Sequence, residues 1–307
     1  MLTGQSGTPE RFYAHAGGRP TALVFAGADD DPRLLDLVGR LRGRDDVALC
    51  IVAPGPAGGS GGERRWSDPD GAVAAAYGIT AAEPTAVVLD ANLRVLGVTS
   101  GAESADAVIG LLDGALDVSP PAEVIAQAPV LLLPRALDRA LAERLIQVWE
   151  TADTRATGVQ RSEGEEQDTS YKLRRDHTVT DPDLLRELST AVGARVMPEV
   201  RKAFAFRATR FEGFKIACYD GSTGGFFRAH RDNLSPATAH RVFALTLNLN
   251  DDYEGGQLRF PEYGTQLYRP AAGTALVFSC AHLHEVMDVT AGRRFVLLSF
   301  LYAEPDQ

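Results

Sequence analysis

The sequence predicts an α+β chain of two domains, an open α/β sheet followed by an all-β barrel or double-sheet jelly roll with supporting helices. Three observations predict it. The first 118 residues alternate apolar strand-like runs with helical stretches, as units of an open sheet covered by helices do. From residue 214 onward the chain is a series of short apolar runs broken by Gly, Asn and Pro turns, the pattern of a barrel or jelly roll. The length of 307 residues exceeds what one hydrophobic core usually supports.

In chain order, Thr21–Phe25 reads as a buried strand, Pro32–Arg42 as a helix and Val47–Val52 as a second strand. Gly71–Tyr77 suggests another helix. Thr85–Leu89 and Arg94–Val98 form a hairpin around Asp90-Ala91-Asn92, and Ala105–Leu116 closes this half with a helix. The resulting β-α-β-α-β-β-α order is a thioredoxin-like pattern. Asp117–Ala122 is the expected linker between domains 1–118 and 119–307, because adjacent Pro120 and Pro121 stiffen the chain and interrupt helix.

The second half opens with an apolar strand at Val130–Pro134. Leu137, Leu141, Leu145 and Val148 follow a helical stripe, and Leu184, Leu188, Val192 and Val196 repeat it, so both helices are expected to buttress the barrel. Between them, Thr151 to Asp176 is polar and charged and reads as a long loop, with a substrate-gating lid as one use of it. Phe214–Tyr219 then reads as a strand, Gly221–Gly225 as a tight turn, and Phe226–Asp232 carries the chain back towards the core. Val242–Asn250, Gln257–Phe260, Thr274–Ser279 and Phe295–Tyr302 continue the strand series.

The chemistry concentrates in His230-Arg231-Asp232, followed by His284 and, ten residues after that, Arg294. Along a strand, residues i and i+2 share a face, so His230 and Asp232 can chelate one metal if this stretch is extended. Two neutral imidazoles and one carboxylate bind Fe(II) on one octahedral face and leave three positions open for reactants. His282 lies two residues before His284 and is read as a pocket-rim residue. His240, His177 and His15 lack ligand-like spacing and are read as surface or structural.

In order, Tyr219, Phe227-Arg-Ala-His-Arg-Asp232, Leu247-Asn-Leu-Asn250, Glu254-Gly-Gly256, Leu283-His-Glu-Val286 and Val289-Thr-Ala-Gly-Arg-Arg294 resemble the Fe(II)/2-oxoglutarate-dependent dioxygenases, in their prolyl 4-hydroxylase-like branch. The resemblance implies a double-stranded β-helix. It makes His230, Asp232 and His284 the iron ligands and pairs Arg294, rather than Arg293, with the distal carboxylate of 2-oxoglutarate. It places Tyr219 and Asn248 beside the cosubstrate, Asn248 standing where some relatives carry tyrosine. The implied reaction is hydroxylation of an unactivated C–H bond of an amino acid, a peptidyl residue or a small molecule. Fe(II), 2-oxoglutarate and O2 are the implied cofactors, with ascorbate as a further one, and succinate and CO2 are released. The carboxylate at position 232 sets the chain apart from relatives that halogenate. Proline, free or peptidyl, is the first substrate such a branch suggests.

The N-terminal half resembles the peroxiredoxin and thioredoxin-like superfamily through Asp68–Ile79 and Glu83–Asp90. It departs where an active relative carries its nucleophile, since Ala26–Pro32 contains no cysteine. Without a thiolate there is no peroxide reduction or disulfide exchange. This half is therefore read as catalytically silent, serving docking of a protein partner, homodimerisation or substrate presentation.

Composition sets outer bounds. A net charge of −10 argues against a polyanion-binding surface, so nucleic acid is not an expected partner. The short basic clusters Arg64-Arg65 and Lys172–Arg175 are read as solvated surface. No apolar run reaches the roughly 20 residues that span a bilayer, and the first residues lack the charged and apolar regions of a signal peptide, so no membrane and a cytoplasmic location are expected. Cys50, Cys218 and Cys280 are too few and scattered for a disulfide framework or zinc site. Three other readings stay open: a non-catalytic two-domain interaction protein, a thiol-dependent peroxidase, and a cupin-like metalloenzyme that uses no 2-oxoglutarate.

Overall fold

The computed structural model describes residues 2–3, 9–27, 30–55, 64–80, 84–100, 105–116, 123–156, 159–161, 164–166 and 168–304. The expected linker at 117–122 lies outside them, as do residues 28–29 of the segment without a nucleophile. The chain divides into two compact units, Met1–Ala122 and Glu123–Gln307.

In the first unit, β1 (Leu2–Thr3) and β2 (Pro9–Glu10) precede the one-turn helix α1 (Tyr13–Ala16). There follow β3 (Thr21–Phe25), α2 (Pro32–Leu41), β4 (Ala48–Ala53), β5 (Arg64–Ser67), α3 (Ala72–Ala76), β6 (Thr85–Leu89), β7 (Val95–Ser100) and α4 (Ala105–Asp113). The strands form one sheet in the order β2-β1-β5-β4-β3-β6-β7. Strands β3, β4 and β5 run parallel, whereas β6 and β7 are antiparallel additions.

Strand β3 is buried throughout because both faces of the sheet are covered. Ala22 and Val24 pack with Leu34, Leu37 and Val38 of α2 and with Val108 and Leu112 of α4. Leu23 and Phe25 pack on the other face with Trp66 and Val87. A strand buried on both faces reads as an uninterrupted apolar run. Helix α2 starts where it does because Pro32 supplies a fixed φ at its first turn and the Asp31 side chain accepts from the Arg33 N–H. Strand β5 was not legible in the sequence: it carries fully buried Trp66 between exposed Arg64, which pairs with Glu10 at 3.0 Å, and the turn that follows. Four residues with one apolar anchor give no alternation to read.

The second unit begins with β8 (Leu131–Leu133) and α5 (Arg139–Thr151). The polar stretch that follows is not one loop. It holds β9 (Arg155–Ala156), β10 (Val159–Arg161), β11 (Gly164–Glu166), β12 (Lys172–Leu173) and β13 (Arg175–Thr178). Helices α6 (Pro182–Arg195) and α7 (Met197–Phe204) come next. The remaining strands are β14 (Arg210–Phe211), β15 (Lys215–Asp220), β16 (Phe226–His230), β17 (Phe243–Asn248), β18 (Glu254–Gly255) and β19 (Leu258–Arg259). They continue with β20 (Leu267–Tyr268), β21 (Ala275–Ser279), β22 (His284–Val286), β23 (Val289–Ala291) and β24 (Arg293–Tyr302).

Two antiparallel sheets dominate. The larger runs β8-β21-β17-β24-β15-β13-β9 with β14 added to β24, and the smaller runs β12-β16-β22-β19-β20. Period-2 alternation divides the larger sheet between two cores. Ile216, Leu245, Leu247, Val277, Phe295 and Leu297 share one cluster with Leu141 and Leu145 of α5, Leu188 of α6 and Val200 of α7. Their neighbours Ala217, Tyr219, Ala244, Leu276, Phe278 and Val296 face the smaller sheet, with its Leu258 and Val286. The helices thus stiffen one face, which leaves the other to enclose a site. Asp138 and Asp181 fix the starts of α5 and α6 by accepting from Leu141 N and from Asp183 N and Leu184 N.

Leu188 is fully buried among α5, α6 and the sheet and is remote from the enclosed face. Leu188→Ala is expected to lower the unfolding free energy by about 2–5 kcal/mol, measured by urea denaturation.

Candidate metal and cosubstrate site

Strand pairing assembles the site from residues far apart in the chain. On the smaller sheet His230, at the end of β16, lies directly opposite His284, the first residue of β22. Asp232 follows two residues later, tied to the turn after β21, where its N–H donates to Cys280 O at 2.9 Å. On the larger sheet Tyr219 of β15 lies opposite Arg294 of β24.

The donor atoms of His230, Asp232 and His284 all lie within 4.8 Å of one another. His230 Nε2 is 3.5 Å from Asp232 Oδ1, and His284 Nε2 is 3.4 Å from Asp232 Oδ2. Each imidazole is oriented from behind: His230 Nδ1 contacts Arg228 O at 2.7 Å and His284 Nδ1 contacts His282 O at 3.0 Å. A carbonyl only accepts, so each Nδ1 carries a proton and each Nε2 is the ring nitrogen left to face a metal. Phe227 stacks on the His230 ring with centroids 3.5 Å apart, and Phe278 meets His284 edge-on. The arrangement fits a divalent metal with three protein ligands on one side.

Burial sets the protonation states. It pushes His284 down to about 4, an effect that Asp232 only partly offsets. Burial also raises the Asp232 carboxyl, but the adjacent His284, His230 and Arg241 outweigh it and hold the group at about 2. At neutral pH the site therefore holds neutral His284 and an ionised carboxylate, the forms that ligate a metal.

These residues line a cavity of about 570 Å³, which also takes in Tyr219, Arg174, Phe278, Val296 and Arg294. Arg294 is only 2% exposed, and its Nε has no hydrogen-bond partner. Among the described residues no carboxylate forms an ion pair with it, and its guanidinium carbon sits 5.5 Å from the Tyr219 ring centroid. Its neighbour Arg293 is exposed and pairs with Glu150 at 2.6 Å. The Glu254-Gly-Gly256 motif makes room for Arg294. A Cβ on Gly256 would stand 3.0 Å from Arg294 Cδ and 2.8 Å from Val289 Cγ2, and one on Gly255 would meet Asp288 O at 2.2 Å. Both glycines also have positive φ.

Two expectations need correction. Asn248 does not line the cavity: its amide donates to Pro270 O at 2.7 Å, Tyr253 Oη at 2.9 Å and Asn250 O at 3.2 Å, anchoring the end of β17. Both protons of the amide nitrogen are committed to these acceptors, so none is left for a cosubstrate. Of the Lys172–Arg175 cluster, Arg175 is exposed as expected, but Lys172 and Arg174 are not solvated surface. Lys172 is 8% exposed above the Phe227 ring, and Arg174 is bonded to Asp176 at 2.6 Å and to Tyr219 Oη at 3.1 Å. The two-residue spacing of Lys172, Arg174 and Asp176 was the available signal, since it puts all three on one face of an extended chain.

Arg231 and Glu262 were also missed. Arg231 forks onto both carboxylate oxygens of Glu262 and donates to Ala281 O, while Glu262 Oε2 accepts from Leu283 N at 2.8 Å. One ion pair thereby ties the segment bearing His230 and Asp232 to the residue before His284. His282 lies outside the ligand cluster, its ring edge-on to Tyr263. His240 pairs with Glu212 at 2.9 Å and His15 with Glu10 at 3.2 Å, whereas His177 sits on β13. All three cysteines are free and buried, and burial pushes Cys50 and Cys218 up to about 12 and Cys280 higher still.

Ligand geometry, cavity and uncompensated arginine converge on one kind of chemistry, and the sequence comparison agrees. Residues 214–302 match the family model of the 2OG-Fe(II) oxygenase superfamily. That family's cofactors are Fe(II), 2-oxoglutarate and O2, and the matched segment contains the whole triad and Arg294. A PKHD-type hydroxylase of Saccharophagus degradans is 36% identical over 96 residues, which span 28% of this chain and 41% of the relative. One from Synechococcus sp. is 29% identical over 104 residues, 32% of this chain and 46% of the relative. The chain spans less than half the length of these curated relatives. Among solved structures, a Trichoplax adhaerens prolyl hydroxylase in complex with a hypoxia inducible factor oxygen degradation domain peptide fragment shares 17% identity, with a TM-score of 0.48 over 59% of this chain and 89% of that one. A Pseudomonas putida prolyl-4-hydroxylase shares 16% identity, with a TM-score of 0.44 over 58% and 94%.

Two outcomes follow from the geometry. Because folding holds His284 neutral below its usual 6.5, the unfolded chain takes up a proton that the folded one refuses until about 4. Stability of the metal-free protein is expected to fall as pH drops from 6.5 towards 4, and His284→Asn to flatten that window in urea titrations. Glu262→Ala is expected to weaken Mn(II) binding about tenfold, read by electron paramagnetic resonance, with the fold retained.

Proposed function

We propose that this chain is an Fe(II)- and 2-oxoglutarate-dependent dioxygenase hydroxylating an unactivated C–H bond of an amino acid, a peptidyl residue or a small molecule. One observation carries the reading: a buried guanidinium with no acid partner shares a cavity with two neutral-capable imidazoles and a carboxylate. A buried cation that the protein leaves uncompensated calls for an anion from outside. A dicarboxylate spanning from the triad to Arg294 would satisfy both ends.

His230, Asp232 and His284 would hold iron through two Nε2 atoms and the carboxylate, leaving the cavity side open. When bound, iron supplies O2 activation coupled to oxidative decarboxylation of 2-oxoglutarate, with succinate and CO2 released. Arg294 would grip the distal carboxylate by two parallel N–H bonds, a geometry that a planar guanidinium offers and an ammonium does not. Leu258, Phe278, Val286 and Val296 wall the cavity with apolar surface and exclude water from the reacting centre. Free and peptidyl proline are the first substrates to test, on the sequence resemblance to the prolyl 4-hydroxylase-like branch.

For the first unit we propose a thioredoxin-like domain without redox chemistry that docks a partner or a second copy. Its parallel β3-β4-β5 core with antiparallel β6 and β7 supports the first part. The place of Cys50 inside buried strand β4, with its thiol pushed up to about 12, supports the second.

Anaerobic titration with Fe(II) and then 2-oxoglutarate tests the reading through the weak visible charge-transfer band of the chelate. Wild type is expected to develop the band, His284→Ala to lose it, and Arg294→Ala to need more than tenfold higher 2-oxoglutarate. A folded wild-type protein that binds no iron would overturn the assignment.

A further inference from the structure

Tyr219 sits between two guanidiniums. Arg174 lies 5.6 Å and Arg294 5.5 Å from its ring centroid, and all three residues line the cavity. Arg174 Nη1 donates to the Tyr219 oxygen at 3.1 Å, while Nη2 donates to Asp176 at 2.6 Å. Arg174 and Asp176 are both deeply buried, with side chains 10% and 2% exposed.

An arginine has five donors and no acceptor. The phenol oxygen must therefore accept from Arg174, and its own proton must point elsewhere. Among the described residues that hydroxyl meets no acceptor of its own, although Tyr219 is only 2% exposed. A buried O–H without an acceptor is costly unless a ligand supplies one. The remaining direction is the cavity, which Arg294, its Nε without a partner, also lines.

We infer that Arg174, held by Asp176, is a positioning residue that polarises Tyr219 into a hydrogen-bond donor aimed at a carboxylate of the cosubstrate. This rests on the proposed 2-oxoglutarate site. Arg174 touches no cosubstrate atom; it removes the alternative in which the tyrosine hydroxyl rotates and spends its proton inside the protein. Asp176 holds the other arm of the guanidinium and offsets its buried charge.

The test is a double-mutant cycle on 2-oxoglutarate affinity, measured calorimetrically with the Mn(II)-loaded protein so that no turnover occurs. Tyr219→Phe is expected to weaken binding about tenfold. Arg174→Lys, which keeps the charge but lacks the fork needed to hold Asp176 and Tyr219 together, should produce a similar loss. The combined variant should lose no more than Tyr219→Phe alone, because Arg174 acts through that hydroxyl. The double variant Arg174→Gln with Asp176→Asn, neutral and near-isosteric at the carboxyl, guards against misfolding from a stranded charge and should match Arg174→Lys. Additive losses, or unchanged affinity in a folded Arg174→Lys protein, would overturn the inference while leaving the oxygenase reading intact. Absence of 2-oxoglutarate binding by Mn(II)-loaded wild type would overturn both.

Discussion

A buried cation without an acid partner is the constraint on which the second unit is built. Arg294 is the second residue of the longest strand, between exposed Arg293 and core residue Phe295, and Tyr219 faces it across the ladder. Taking a guanidinium out of water costs several kcal/mol unless charge and hydrogen bonds are returned. The surrounding structure returns only part. It gives Arg294 an aromatic face, and glycines at 255 and 256 allow the chain to pass close beside it. What is missing is an anion, and the cavity leads from this cation to the triad.

The triad is rigid for a different reason. Its members sit at strand ends, where ladder hydrogen bonds stop and side chains reach into the space between sheets. Backbone carbonyls of Arg228 and His282 orient the two imidazoles, Cys280 O holds the Asp232 backbone, and the Arg231–Glu262 pair bridges the two ligand-bearing segments. Each of these contacts restrains a donor atom without consuming it. The larger sheet gains its stiffness from α5, α6 and α7, whose leucines and valines fill its outer face. Function is thereby confined to the inner face, and stability is carried mainly by the outer one.

The two units solve the problem of covering a sheet in different ways. In the first, apolar residues on both sides of β3, β4 and β6 feed two separate clusters. In the second, one sheet face meets helices and the other meets a shorter sheet that leaves room between them. That room is the cavity that holds the triad and Arg294.

By itself the sequence determined the order of elements, the alternation that assigns faces, and the residue types of the triad and Arg294. These are local: a strand period of two, a helical stripe, Asp-Pro at a helix start and His-x-Asp in an extended run are written within a few residues of one another. Opposite strands and shared burial are not local, and there the tertiary structure decided. It paired His230 with His284 and Tyr219 with Arg294, drew Lys172, Arg174 and Asp176 inward from a stretch that reads as polar loop, and anchored Asn248 beyond the cavity. Strand β5 with Trp66, and the Arg231–Glu262 bridge, escaped for the same reason. A charged side chain looks solvated in sequence, and only the partner brought to it across the sheet shows whether it is exposed, paired or waiting for a ligand.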